Sequence, residues 1–153
     1  MSNPEDTLII ETTRGPVTVE MRSDLAPKHC ARIKELARQG FYDGVVFHRV
    51  IDGFMAQTGD PTGTGAGGSG QKLQAEFSAE PHVRGVVSMA RAQSPDSGDS
   101  QFFICFDDAS FLDHKYTVWG KVVEGMDNVD KITRGEPPAN PDKIVSMRVA
   151  ADV

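Results

Sequence analysis

The strongest constraint on this chain is that its β-type runs follow one another with only turns between them. Residues 8–12, 17–21, 45–51, 54–58, 86–90, 102–106, 118–123 and 144–149 are short and rich in β-branched or aromatic residues. Glycine, proline or polar stretches bound each of them. Parallel strands need a crossover of a dozen or more residues, usually a helix. Here only residues 27–39 carry a full helical pattern: Pro27 suits a first helical position, Gly40 a stop, and Cys30, Ile33, Leu36 and Ala37 form one apolar stripe. A shorter helix is expected over 126–132. About eight strands and two helices in this order fit a closed or nearly closed antiparallel barrel better than a parallel α/β sheet.

At 153 residues the chain is one domain in length. Residues 1–6 read as a loose polar tail ahead of a single domain over 7–153. Sixteen basic residues against 22 acidic ones give a net charge of −6, with no basic run, so nucleic acid is not an expected partner. No run approaches the ~18 apolar residues of a membrane span. The opening MSNPEDT has neither the basic nor the apolar region of a secretory signal, which implies a cytoplasmic protein with free thiols at Cys30 and Cys105.

Gly63-x-Gly65-x-x-Gly68 matches a dinucleotide fingerprint as a string only. Gly-Asp-Pro precedes it instead of a strand, and no helix opens after it. The glycines fit a loop whose backbone lies close to a ligand or a neighbouring strand. His29, His48, His82 and His114 show no metal-ligand spacing, and His48 reads as a hydrogen-bonded core residue. No serine–histidine constellation is visible along the chain.

Strand parity carries more information. Residues two apart share a face. Phe47, Arg49 and Ile51 therefore fall together, as do Met55 with Gln57, and Gln101 with Phe103 and Cys105. Phe102, Ile104 and Phe106 take the opposite face. Three strands that each combine apolar and polar residues on one face imply a shared apolar groove with a few donors, the usual make-up of a ligand site.

The runs FHRVIDGFMAQTGDPTGTGAGG (47–68), VVSMARA (86–92), GDSQFFICFDD (98–108) and FLDHKYTVWGKVVEGMDNVDKI (111–132) closely resemble the cyclophilin family of peptidyl-prolyl isomerases. With the opening hairpin and the final strand, the resemblance spans nearly the whole chain. It implies a closed eight-stranded antiparallel barrel capped by two helices and isomerisation of X–Pro bonds in peptides and unfolded client proteins. It implies no cofactor; a monomer without a metal is expected. By the same resemblance Arg49 is the catalytic arginine, and Phe54, Met55, Phe103 and Leu112 form the pocket for the substrate proline. Gln57 orients the arginine and the substrate. Gly65, Ala90, Arg91 and Gln101 line the groove for residues preceding the proline. Three positions depart from the best-known eukaryotic pattern. Phe111 replaces a tryptophan, which implies weak cyclosporin binding. Tyr116 replaces a histidine at the pocket wall, and Arg91 replaces an asparagine, which bears on the residue preferred before proline.

Overall fold

The computed structural model describes residues 3–153. The chain opens on a hairpin of β1 (Thr7–Thr12) and β2 (Gly15–Met21). Thr12 closes the turn: its hydroxyl donates to the Gly15 carbonyl and accepts from the Arg14 N–H. Helix α1 (Pro27–Arg38) starts on the expected proline, and the chain leaves it through Gly40 at φ +72°. Its buried stripe is Cys30, Ile33, Leu36 and Ala37, joined by His29. No side chain of the helix start caps it. Instead Glu76 reaches across from a distant loop and accepts from the Lys28 and His29 amides at 3.2 and 2.8 Å. A carboxylate there answers both the orphan N–H groups and the positive end of the helix dipole.

Next come β3 (Arg49–Ile51), β4 (Met55–Thr58), β5 (Val86–Met89), β6 (Phe102–Cys105), β7 (Val118–Glu124), the short helix α2 (Met126–Val129) and β8 (Ile144–Val149). All eight strands form one antiparallel sheet in the order β3-β4-β6-β5-β7-β2-β1-β8.

The expected closed barrel is not formed. The sheet curls but stays open between its two edge strands, β3 and β8. Across that gap the backbone meets through the Val46↔Lys143 bridge and three bonds, Gly44 to Ile144, Phe47 to Asp142 and Ile144 to Val45, at 2.7 to 2.8 Å. Two local features stop a ladder there. Pro141 has no N–H to give, and the 45–51 run makes no ladder at Phe47–His48, so that β3 begins only at Arg49.

That break also overturns one parity assignment. Phe47 does not share a face with Arg49; it packs with Val50 in the main core. Beyond the break, parity holds. Phe102 and Ile104 join Leu8, Ile10, Val19, Ala56 and Trp119 in the main cluster. Phe103 and Cys105 face the other way, into a smaller cluster with Met55, Leu112 and Val118. Phe102 lies edge-on to Tyr42 and Trp119, with centroids 5.6 and 5.3 Å away.

The polar start is more ordered than a loose tail. Met1 and Ser2 lie outside the described residues, but Asn3 caps a 3-10 turn over Pro4–Asp6, and Glu5 pairs with Arg38 of α1 at 2.8 Å. Among the described residues no helix is long and apolar enough to cross a membrane.

Candidate active site

The β3–β4 hairpin sets Arg49 directly opposite Gln57 and Ile51 opposite Met55. The β4–β6 pairing then sets Gln57 opposite Phe103. Pleating turns the side chains of each such pair to the same face, so the register alone gathers Arg49, Met55, Gln57 and Phe103. They line a pocket of about 100 Å³ together with Phe54, Ala90, Arg91, Leu112 and Tyr116. Met55 and Phe103 form its buried floor, with Tyr116 edge-on to Phe103 at 5.7 Å. Phe111 stands at the rim, 62% exposed, tilted against Phe54 at 5.4 Å.

A second cavity of about 500 Å³ adjoins the first and shares Gln57, Ala90 and Arg91 with it. Its far wall is the glycine loop, including Gly65, Gly67 and Gly68, with Lys72, Asp99 and Gln101. Every site residue singled out from the sequence thus lies in one continuous depression or on its rim.

Two carboxylates shape the glycine loop. Asp60 is fully buried. Its Oδ1 accepts from the Thr62 amide and hydroxyl at 2.8 and 2.7 Å, and its Oδ2 from the amides of Thr64, Gly65 and Gly67 at 3.1, 2.6 and 3.1 Å. Burial pushes the Asp60 carboxyl up, but these bonds from Thr62, Gly67 and Gly65 outweigh it and hold the group well below the usual carboxylate range. Asp99 takes the Ser69 amide and hydroxyl and the Gly70 amide. The glycines follow from the carboxylates. A Cβ on Gly67 would lie 2.2 Å from Asp60 Oδ1, and one on Gly68 would lie 2.6 Å from Asp99 Oδ2.

The loop is wired to the pocket. Gln101 donates to the Gly65 and Gly67 carbonyls, both at 2.9 Å, and its own carbonyl accepts from Gln57 Nε2 at 3.0 Å. Gln57 was expected to orient Arg49; its Nε2 donates to Gln101, and the hydrogen-bond partner of Arg49 among the described residues is Glu136, which accepts from Nε at 3.1 Å. His48 was expected to be hydrogen-bonded, but it is buried with neither ring nitrogen partnered among the described residues. The nearby amide of Gln101 and carboxylate of Asp60 are already committed to the loop. Burial pushes the His48 pKa down.

Arg91 is likewise tied to its own chain. It donates to the Lys115, Ala92 and Gln93 carbonyls and lies over the Tyr116 ring, 4.6 Å from the centroid. The replacement of asparagine and the replacement of histidine are therefore one coupled feature, a cation–π pair at the junction of the two cavities.

A serine–histidine–aspartate constellation is present after all. His82 Nδ1 lies 3.0 Å from Asp113 Oδ1 and Nε2 lies 3.0 Å from Ser88 Oγ. Its members are too scattered along the chain to show as a motif. His82 and Ser88 are wholly buried, so the hydroxyl meets no substrate. The His82 ring stacks beneath Phe103 at 6.3 Å and backs the pocket floor.

The matched family model is that of the cyclophilin-type peptidyl-prolyl cis-trans isomerases, and it covers residues 7–149. The chain belongs to the cyclophilins. It is 53% identical over 168 aligned positions to a Brucella suis protein named a probable peptidyl-prolyl cis-trans isomerase, covering 99% of this chain and 86% of that one. Among solved structures, the Hirschia baltica cyclophilin AquaCyp293 superposes with a TM-score of 0.92 at 34% identity, covering 99% of this chain and 76% of that one. A Cryptosporidium parvum cyclophilin crystallised in the presence of the dipeptide Ala-Pro gives a TM-score of 0.88 at 30% identity, with 94% and 98% covered. This cyclophilin is accordingly a peptidyl-prolyl cis-trans isomerase, built on a mainly antiparallel sheet with two helices.

Proposed function

We propose that this isomerase binds the substrate proline in the small apolar pocket and catalyses rotation through Arg49, without a covalent step. The observation that carries this is the guanidinium at the lip of the pocket. Arg49 is 47% exposed, spends only Nε on Glu136, and has both Nη groups without a partner among the described residues. A prolyl nitrogen is planar and has no lone pair to offer in the ground state. On twisting it pyramidalises and becomes an acceptor. A donor placed there binds the twisted state selectively, which is the condition for raising the rate.

Uncatalysed X–Pro isomerisation runs at roughly 10⁻² per second. Reaching ~10³ per second takes about 10⁵-fold, or about 7 kcal/mol. One charged donor supplies roughly 3 to 4 kcal/mol. The remainder falls to the apolar pocket, which favours the less polar twisted amide, and to a donor that holds the carbonyl of the preceding residue. Gln57 and the Gly65–Gln101 wall flank the space that residue would enter. A cyclophilin of the same fold was crystallised in the presence of Ala-Pro, which supports proline-containing peptides and exposed X–Pro segments of folding clients as substrates here.

The test is NMR exchange spectroscopy on an Ala–Pro peptide with substoichiometric protein. Wild type is expected to add cis–trans exchange peaks, Arg49→Ala to remove at least ~10²-fold of the rate with an unchanged thermal midpoint, and the rate to stay level from about pH 6 to 9. Peak shifts without added exchange would make the groove a binding site only. Equal loss of rate and stability in Arg49→Ala would make the arginine structural.

A further inference from the structure

We propose that Glu136 is a positioning residue for Arg49, a role that rests on the reading of Arg49 as the catalytic donor. Three successive residues after α2 run alongside the β3–β4 hairpin and are fastened to it one by one. Arg134 Nε donates to Asp52 Oδ1 at 3.1 Å. Gly135 and Val50 exchange reciprocal backbone bonds, both 2.8 Å. Glu136 Oε1 accepts from Arg49 Nε at 3.1 Å. The backbone pair at Gly135 fixes the register, so residue 136 falls beside residue 49 whatever its side chain.

The chain can hold this course only with glycine at 135. Its φ is +145°, and a Cβ there would lie 2.6 Å from Pro138 Cα. Pro137 and Pro138 then restrict the backbone that presents the carboxylate. The flanking ion pairs have opposite polarity, Arg134 with Asp52 and Glu136 with Arg49, so a slip of the segment along β3 would break both.

The chemistry explains why the carboxylate sits where it does. A guanidinium is a rigid planar fork on a side chain with four free torsions. Bonding Nε–H to a fixed carboxylate holds one edge of the plane. The two Nη groups are left on the remaining edges, available to the prolyl nitrogen. In a catalyst whose gain comes from a donor at one stated place, fixing that donor before the amide twists raises the turnover and leaves substrate affinity alone. Only an acceptor can hold a guanidinium, and among the described residues Arg49 donates to Glu136 and not to the Gln57 carbonyl.

The experiment compares wild type, Glu136→Ala, Glu136→Gln, Arg49→Ala and the Glu136→Ala/Arg49→Ala double variant. The probe is a neutral Ala–Pro peptide followed by NMR exchange. Two other readouts accompany the rate: the thermal midpoint and the ¹⁵N–¹H resonance of Arg49 Nε. Glu136→Ala is expected to lower kcat about three- to tenfold at an unchanged KM and midpoint, and to move the Arg49 Nε–H resonance. Glu136→Gln, which keeps an acceptor, is expected to recover most of the rate. In the Arg49→Ala background the second change is expected to do nothing further. An unchanged kcat, a raised kcat (Glu136 would then be a competitor for the arginine), or a loss that adds in full to that of Arg49→Ala would each overturn the assignment. If Arg49→Ala alone keeps the wild-type rate, it is the underlying reading of Arg49 that fails, and the two failures are told apart by that single variant.

Discussion

Asp60→Asn is the most informative conservative change in the molecule, because it alters one charge and one proton pattern and leaves shape almost untouched. The carboxylate faces donors on both sides: the amide and hydroxyl of Thr62 at Oδ1, and the amides of Thr64, Gly65 and Gly67 at Oδ2. An asparagine must turn its NH₂ toward one of these groups. The cheaper choice faces Thr62, whose hydroxyl can rotate to accept, leaving the Thr62 amide stranded. A stranded donor costs about 1 to 3 kcal/mol when buried, and toward the low end of that at Thr62, which is itself exposed. The three bonds kept at the other oxygen lose their charge assistance, about 1 kcal/mol each where water is excluded and less at the exposed Thr64 and Gly65. The sum is about 3 kcal/mol, a large part of an ordinary domain's 5 to 15. Urea unfolding with an unchanged m-value measures it, and hydrogen exchange at the Gly65 and Gly67 amides localises it. Because the loop holds Gln101, kcat/KM on an X–Pro peptide should fall as well. The sign of the pH dependence follows from the same bonds. The folded carboxyl is held below its unfolded value, so its stabilisation is complete above about pH 4 and is lost as pH falls toward the folded pKa. The asparagine variant should lack that share of the acid dependence. A loss under about 1 kcal/mol, or Gly65 and Gly67 amides that exchange as slowly as in wild type, would refute the idea that this charge organises the loop.

Three further outcomes are expected. Burial pushes the pKa of His29, His48 and His82 down, so the unfolded chain takes up protons near its ordinary ~6.5 before the folded one does; stability should be complete above about pH 7 and decline toward pH 5, as thermal melts at the two ends will show. Cys30 and Cys105 are buried, their thiols pushed up to about 12 by burial, so a disulfide reagent at pH 8 should label neither in the native protein and both after denaturation. Trp119 is fully buried with its indole N–H unpartnered among the described residues, so Trp119→Phe should cost under about 1.5 kcal/mol in chemical unfolding, far less than the 3 to 5 of Trp119→Ala.

Much of this architecture was legible because it is local. Alternation in QFFICF separates Phe103 and Cys105 from Phe102 and Ile104, and the structure sends them to different clusters. Proline and glycine marked both ends of α1. The twelve site residues came from a family resemblance, and register explains why those on β3, β4 and β6 converge. What the sequence hid are contacts between distant segments. Glu136 stands in a proline-rich stretch that reads as loop, and only the Gly135–Val50 pair puts it beside Arg49. His82, Ser88 and Asp113 meet only after β5 and the loop before β7 fold together. Sheet closure depends on whether two edges can pair, and the ladder breaks at Phe47–His48 without any glycine or proline to announce it.

β6 has a consequence for how such a protein can change over generations. Phe103 floors the pocket and Cys105 is buried in the same smaller cluster, while Phe102 and Ile104 hold the main core. Recutting the pocket therefore disturbs one of two cores and leaves the other in place. Phe103 and Leu112 are buried in the smaller cluster, so shrinking either costs about 2 to 5 kcal/mol of packing, and a lineage that changes substrate preference there first needs a margin of stability.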